Sequence, residues 1–504
     1  MRCPGRAVVL SCLLAPQGVQ AEPEVSWRDS VTFRLSERVR GEFVDWFEPR
    51  SGATAGGEEA VAGAERYNFF ASQFRAGVNM LLPHLQLTLE MQDTELANVP
   101  EDATLDPPEG NLGPGAVYFK NTRQSPQGEP FLKLGHLIVL GRGFTATLGR
   151  FEYRDGLETI PADATLAFVK RSRIAERLVG PFDFTHVTRS FDGGRVAWDS
   201  PRWNVTAWGA RPTQGGFEVS ANTDVGDVWL SGLSTTLKGL GEAPPLDLSV
   251  FYLFYRDARD DVVKVDNRPL AMRETDHEPI DIHTIGTHAI GAFDAGPGIV
   301  DVLLWGALQA GTWGTQDDFA WAWALEAGYQ LPLVPAAPWL RIGYDRSSGD
   351  DDPDDGTHGT FFQLTPTPRI YAQLPFYNLM NSADLFTELV LRPHERVLVR
   401  TDWHWIDVTE GRDLWYQGGG VTNHTLFGYS GACASGALPN QPGVCLGGDH
   451  HLAQLVDVSV NVTLLQALTL GTYFGHAFGG DVVGKSNFSG RDANYGFVEL
   501  TYRY

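Results

Sequence analysis

The chain is poor in several things that most proteins of its length use freely. Among 504 residues there are only 4 cysteines and 5 methionines, and lysine is scarce. Past residue 21, no uncharged apolar run reaches the roughly 18 residues a membrane-crossing helix needs, which excludes a helical membrane protein. GxSxG, HExxH and Walker-type spacings are absent, so the residues point to no enzyme and to no cofactor. Positive charge is in the minority: 39 basic against 62 acidic residues leave a net charge of −23. That argues against nucleic acid as a partner, because a phosphate-binding surface needs clustered positive charge. No Pro/Ser linker, composition break or tandem repeat divides residues 22–504, which predicts a single domain.

Residues 1–21 read as a secretory signal peptide. Arg2 and Arg6 give a basic start, Ala7 to Ala15 an apolar stretch, and Val19-Gln20-Ala21 a small-residue exit. Ser11-Cys12 leaves open the alternative of a lipoprotein acylation site. Removal of the signal takes Cys3 and Cys12 with it and leaves Cys433 and Cys445, on either side of a Gly/Pro/Ser-rich segment. In an exported protein, a disulfide within one loop is the expected fate of such a pair; a metal or redox role is the alternative.

What the chain does have is alternation. From Val31 to Phe43 the odd positions carry Val31, Phe33, Leu35, Val39 and Phe43; the even ones carry Arg34, Arg38, Arg40 and Glu42. Successive side chains of a strand point to opposite faces, so one face is apolar and the other holds three arginines. The pattern recurs at Phe70–Met80, Leu85–Met91, Val397–Trp405 and Leu452–Val462. A soluble β-sandwich also alternates, but its strands run about 5–6 residues. These runs reach the roughly 9–11 residues of a tilted membrane strand, and their polar face is charged, as a lumen is. Glycine (56) and aromatic residues (11%) suit a long meander of strands. The expected fold is all-β: a transmembrane antiparallel β-barrel of the bacterial outer membrane, with long extracellular loops. Trp46, Trp229, Trp305, Trp339, Trp415 and Tyr416 are candidates for interfacial girdles. A last amphipathic strand, with Val498, Leu500 and Tyr502 on one face, closes the barrel and resembles the signal that barrel assembly machinery recognises.

Acidic residues concentrate between the strands, which makes solvated loops their expected home. The densest run is Asp350-Asp351-Asp352-Pro353-Asp354-Asp355, where Asp350, Asp352 and Asp354 offer oxygens to Ca²⁺ without the spacing of an EF-hand. From Arg142 to Arg202 the balance reverses, through Arg150, Arg154, Arg171, Arg173, Arg177, Arg189 and Arg195. Inside a barrel, such arginines provide forked contacts to carboxylates. They serve either an anionic solute or, as struts, the protein's own Glu152, Asp155, Glu176, Asp183 and Asp192. His283 and His288 fall on opposite strand faces, which speaks against joint metal ligation.

The pieces LGRFEYRDG (Leu148–Gly156), ERLVG (Glu176–Gly180), TRSFDGGRVAW (Thr188–Trp198) and SGDDDPDDGTHGTF (Ser348–Phe361), in this order, resemble the alginate export family of outer-membrane proteins. The early ERVRGEF segment is similar to the family's first strand. Phe151 departs from the motif, which has glutamine there. The resemblance implies an 18-stranded monomeric barrel in outer-membrane lipid that passes an anionic polysaccharide or a smaller anionic solute, with export partners in the periplasm. It also implies a substrate conduit of Arg38, Arg40, Arg75, Arg150, Arg177, Arg189, Asp192 and Arg195. The alternative of a different class is a non-conducting barrel that sheathes or scaffolds a periplasmic or secreted partner.

Overall fold

The computed structural model describes residues 30–504 except 56, 106–109, 123–127, 240–244, 366–371, 418–430, 434–436, 439–440, 446–447 and 487. The signal peptide lies outside the described residues, as do the side chains of Cys433 and Cys445.

The strands in chain order begin with β1 (Val31–Asp45), β2 (Arg66–Leu81), β3 (Leu85–Ala97), β4 (Phe131–Leu140), β5 (Phe144–Phe151) and β6 (Phe191–Asp199). Next come β7 (Trp203–Pro212), β8 (Val228–Lys238), β9 (Leu246–Asp257), β10 (Ile280–Ala295), β11 (Gly298–Trp313) and β12 (Gln316–Gln330). The last are β13 (Trp339–Ser347), β14 (Ser382–His394), β15 (Val397–Val408), β16 (His451–Leu465), β17 (Leu468–Gly479) and β18 (Asp492–Arg503). Each pairs antiparallel with its neighbours in sequence, and β18 closes on β1 with Val39 opposite Leu500 and Arg40 opposite Glu499. The sheet also takes in the two-residue piece Thr357–His358, which runs parallel to β12. Without it the barrel has the expected 18 strands. Closure pairs the backbone groups that an open sheet edge would leave bare in lipid.

The outside follows the odd positions of β1 as expected: Phe33, Leu35, Val39 and Phe43 are exposed, while Arg40 and Glu42 are buried on the inner face. One end of the barrel has tight turns, such as 82–84 and 395–396, and the other carries long loops. In outer-membrane barrels these are the periplasmic and extracellular ends. Two long loops turn inward and meet. Loop 3 (152–190) holds the short helix Ala164–Val169, whose first turn is capped by the Asp163 carboxylate accepting the Leu166 N–H at 2.9 Å. Loop 7 (348–381) runs beside it, and the two form a parallel bridge. Gly180 donates to Thr365 O at 2.8 Å, and the Thr365 N–H to Leu178 O at 2.7 Å.

The aromatic residues correct one expectation. Trp229 is exposed on the outer face, but Trp305 and Trp339 point into the lumen and Trp46, Trp415 and Tyr416 are buried among the loops. Phe47, next to Trp46, packs against Trp415 at 5.6 Å, Phe376 at 5.8 Å and Phe488 at 5.7 Å, tying four loops together at the extracellular end. Strand parity turns Trp305 and Trp339 inward, and an aromatic just past a strand, such as Trp46, can choose the packed loop core over lipid. Five of the six go inward.

Candidate functional site

The interior has two unlike walls. On the β12–β15 side, loop 3 inserts two arginines into a carboxylate cluster. Arg173 Nε lies 2.9 Å from Glu326 Oε2, Arg177 Nη2 2.9 Å from Glu326 Oε1, and Arg341 Nη2 3.0 Å from Glu326 Oε2. Lys170 adds a contact of 2.8 Å to Asp247 on β9, which extends the anchoring beyond that wall. All of these side chains are buried, so loop 3 is bound to the barrel by charges removed from water. Arg177 is therefore an anchor rather than a lining residue of an open path. Arg189 is likewise buried, with its carbonyl accepting Lys133 Nζ at 2.7 Å.

The opposite wall, β18–β1–β2, leaves space against the tip of loop 3. A cavity of about 350 Å³ is lined by Arg38, Arg40, Glu176, Asp183, Phe497 and Glu499 among others. A second, of about 110 Å³, lies against Ser36, Arg38, Gln73, Arg75, Thr501 and Arg503. Arg38 and Asp183 border both, so the two spaces adjoin. Arg40 is neutralised there, 2.6 Å from Glu499 and 3.4 Å from Glu42, beneath the ring of Phe184. Arg38 instead donates to the carbonyls of Asp183 at 2.7 Å and Thr185 at 2.5 Å. Arg75 donates to Gln92 Oε1 at 2.8 Å and Thr188 Oγ1 at 3.2 Å. The nearest carboxylates stand off: Glu499 is 3.8 Å from Arg38, and Glu152 and Glu90 are 3.6 and 3.8 Å from Arg75. The loop segment these arginines hold is conformationally costly, with Glu176, Phe182 and Thr188 all in the left-handed region (φ 64°, 61° and 58°).

Of the other expected conduit residues, Arg195 faces the lumen, on the same side of β6 as Phe191 and Ala197. Arg150 and Asp192 do not. Leu148, two residues before Arg150, is 70% exposed, and Val196 and Trp198, on the parity of Asp192, are exposed too. The two residues sit directly opposite one another on β5 and β6, joined by bonds of 2.7 and 2.6 Å. They form a forked pair on the outer surface at the extracellular rim, where Arg150 also reaches the carbonyl of Ala221 at 3.2 Å. A charged pair is tolerated there because it stands above the hydrocarbon. Matching to the family motif favoured the lumen; the parity of Leu148 and Arg150 pointed outward.

Arg34, which alternation placed on the charged face of β1, and Arg503 stand outside the conduit set that the family resemblance implied. Both are exposed on the inner face near the periplasmic end, with no ion pair among the described residues. Alternation within β1 and β18 had already put both on the polar face.

Asp350, Asp352 and Asp354 do not form a cation cluster. Asp350 and Asp352 each accept the N–H two residues on, at 3.1 Å, so their oxygens turn the loop. Asp350 is buried against Asp413, which accepts its N–H at 3.0 Å. Burial and the Asp413 charge push the Asp350 carboxyl up to about 7. An acid raised above its unfolded value of about 3.9 stabilises the folded loop below that value, and loses this contribution as pH rises through the folded value. Loop 7 is therefore expected to become progressively more sensitive to protease from about pH 4 to about pH 7 and to level off above that. Asp350→Asn should flatten that dependence, and an unchanged slope would refute it.

A closed 18-stranded barrel with short turns at one end and inward-folded loops defines a bacterial outer-membrane channel. The chain belongs to the alginate export family, whose model matches residues 125–498. That span covers the motifs from Leu148 onward, while the ERVRGEF strand lies before it. Solved structures of the same fold include OccAB2 of Acinetobacter baumannii, 10% identical, covering 95% of this chain and 99% of that one, with a TM-score of 0.58. OccK9 (OpdG) of Pseudomonas aeruginosa is 11% identical over 95% and 99%, with a TM-score of 0.55. OccK2 (OpdF) of the same organism, solved in complex with glucuronate, is 9% identical over 94% and 98%, with a TM-score of 0.50. No curated protein matches. Family and fold are those of transport channels.

Proposed function

We propose that the protein is an anion-selective channel that passes a polyuronate or a smaller carboxylate solute, that it works as a monomer, and that it performs no chemistry on its cargo. The observation that carries this is the bonding of Arg38 and Arg75. Their hydrogen bonds go to neutral acceptors and the nearest carboxylates stand 3.6–3.8 Å away, so part of their charge is left to face the narrow space beside loop 3. Arg34, Arg195 and Arg503 extend positive charge along the lumen within an otherwise acidic protein, which focuses the field on anions. OccK2 was solved with glucuronate, a uronate, which makes this solute class a natural first probe. A guanidinium fork matches a carboxylate in shape as well as charge.

Planar-bilayer recordings test the proposal. The expected result is an ohmic, anion-selective current that uronate oligomers block at lower concentration than neutral oligosaccharides of equal length. Equal block by both would remove the uronate assignment. Folded protein that gives no current would favour a sheath that holds a periplasmic or secreted partner.

A further inference from the structure

Next to the passage, whose lining includes Ser459 two residues along β16 from Asp457, the lumen wall contains a second cluster of charge that the proposed channel function does not use. Asp402 and Asp457 stand directly opposite one another on β15 and β16. Like charges in that position repel. His404, two residues along β15, is on the same inner face and fully buried. A ring nitrogen of His404 and one carboxylate oxygen from each aspartate all lie within 4.8 Å of one another.

The bonding around these groups leaves three of their atoms turned to no protein partner. His404 Nδ1 faces the Asp384 carboxylate at 3.0 Å and donates to it, so in the neutral ring a cation would bind, Nε2 offers its lone pair. Asp384 is held in turn by the Tyr377 hydroxyl at 2.8 Å. Nε2 of His404 is buried and makes no hydrogen bond. Asp402 gives Oδ2 to Arg400 at 2.7 Å, while its Oδ1 is buried and unbonded. Asp457 accepts the Tyr473 hydroxyl on Oδ2 at 2.9 Å, which leaves Oδ1. Charge is unbalanced as well. Arg400 is shared between Asp402 and Glu388, at 2.7 Å from each, and although Glu388 also has Arg341 at 3.9 Å, Asp457 and Asp384 have no arginine or lysine ion pair among the described residues.

Buried polar atoms without partners and uncompensated carboxylates are each costly, and one cation relieves both. We propose that Asp402, His404 and Asp457 bind a divalent transition-metal cation of the Zn²⁺ class in the lumen wall. An imidazole nitrogen among the ligands selects such a cation over Ca²⁺ or Mg²⁺, which take all-oxygen sites. Asp384 is the positioning residue, in the carboxylate–histidine–metal arrangement that fixes the ring and raises its basicity. Tyr377 comes from loop 7, and the Leu374 N–H of that loop donates to Tyr473 Oη at 3.0 Å. The cation therefore stiffens the wall on which loop 7 rests.

The test uses the full-length barrel, folded in detergent after stripping with a chelator. Zn²⁺ is titrated against a competing fluorescent chelator, and Co²⁺ is added separately to read its visible absorption. The expected result is one cation per chain, Ca²⁺ failing to compete, and a Co²⁺ spectrum that shows nitrogen ligation. His404→Gln and Asp457→Asn should each abolish binding, and Asp384→Asn should weaken it by about 10–100-fold. Folding is checked by the mobility of unheated protein on gels. If one of the first two variants fails to fold, the other carries the comparison. Absence of binding to the wild-type protein overturns the proposal. So does binding that survives in the folded variants, because it would then belong to surface histidines such as His450 and His451.

Discussion

Replacing Arg173 and Arg177 together with alanine is expected to raise single-channel conductance several-fold while leaving the barrel folded. Both arginines belong to loop 3, and both bind Glu326 in a site closed to water. Truncating one partner of a buried pair costs about 3–5 kcal/mol, because the remaining charge stays desolvated. After the double substitution Glu326 retains Arg341 at 3.0 Å, but the loop loses both of its ion pairs to the β12–β13 wall. What remains is the Lys170–Asp247 pair at 2.8 Å near the loop's short helix, the bridge to loop 7, and the contacts of Arg38 and Arg75 with residues 183–188. The strand ladder does not involve these side chains, so closure of the barrel should persist. Current noise should increase as the loop samples positions away from the wall. Unchanged conductance in folded protein would mean that the bridge to loop 7, rather than the arginine anchors, sets the constriction.

Strand existence and sidedness were open to inspection in the chain, because a barrel wall sees lipid on one face and charge on the other over its whole height. That is why Val31–Phe43 declared its two faces without help. The strand number came from motif order, since alternation does not count strands that are short or rich in glycine, such as β5 and β6. Arg150 shows where matching to a family motif misleads. Its neighbour Leu148 faces lipid, and the same parity sends Arg150 outward to Asp192 at the rim. Arg177 shows a deeper limit. Its partner Glu326 is separated from it by 149 positions, and a loop that folds inward has no periodicity to announce the fact. Asp402 and His404 were visible as neighbours on one polar face. Asp457 joins them only through the register of β15 against β16, which a single sequence does not reveal.

Reversing charge at Arg38 and Arg75 to glutamate is expected to turn an anion-preferring channel into a cation-preferring one. Each substitution replaces a positive by a negative charge at the space beside loop 3, where the two side chains are 13% and 19% exposed. A unit charge at about 4 Å is worth roughly 1 kcal/mol in bulk water and about 4 kcal/mol at an effective dielectric of 20. Every 1.4 kcal/mol or so is a factor of ten, so the permeability ratio should move by at least about tenfold. Screening is weak in a lumen this narrow, and the effect should survive at about 0.15 M salt. Glutamate at these positions also faces Glu499, Glu152 and Glu90 instead of offsetting them. Reversal potentials in a salt gradient read the result directly. The neutral pair Arg38→Gln and Arg75→Gln should fall between wild type and the reversed protein. Arg150→Glu, at the outer rim, should leave the sign unchanged. If the reversed protein keeps its anion preference, the charge that selects the solute lies elsewhere in the lumen, with Arg34, Arg195 and Arg503 the next residues to replace.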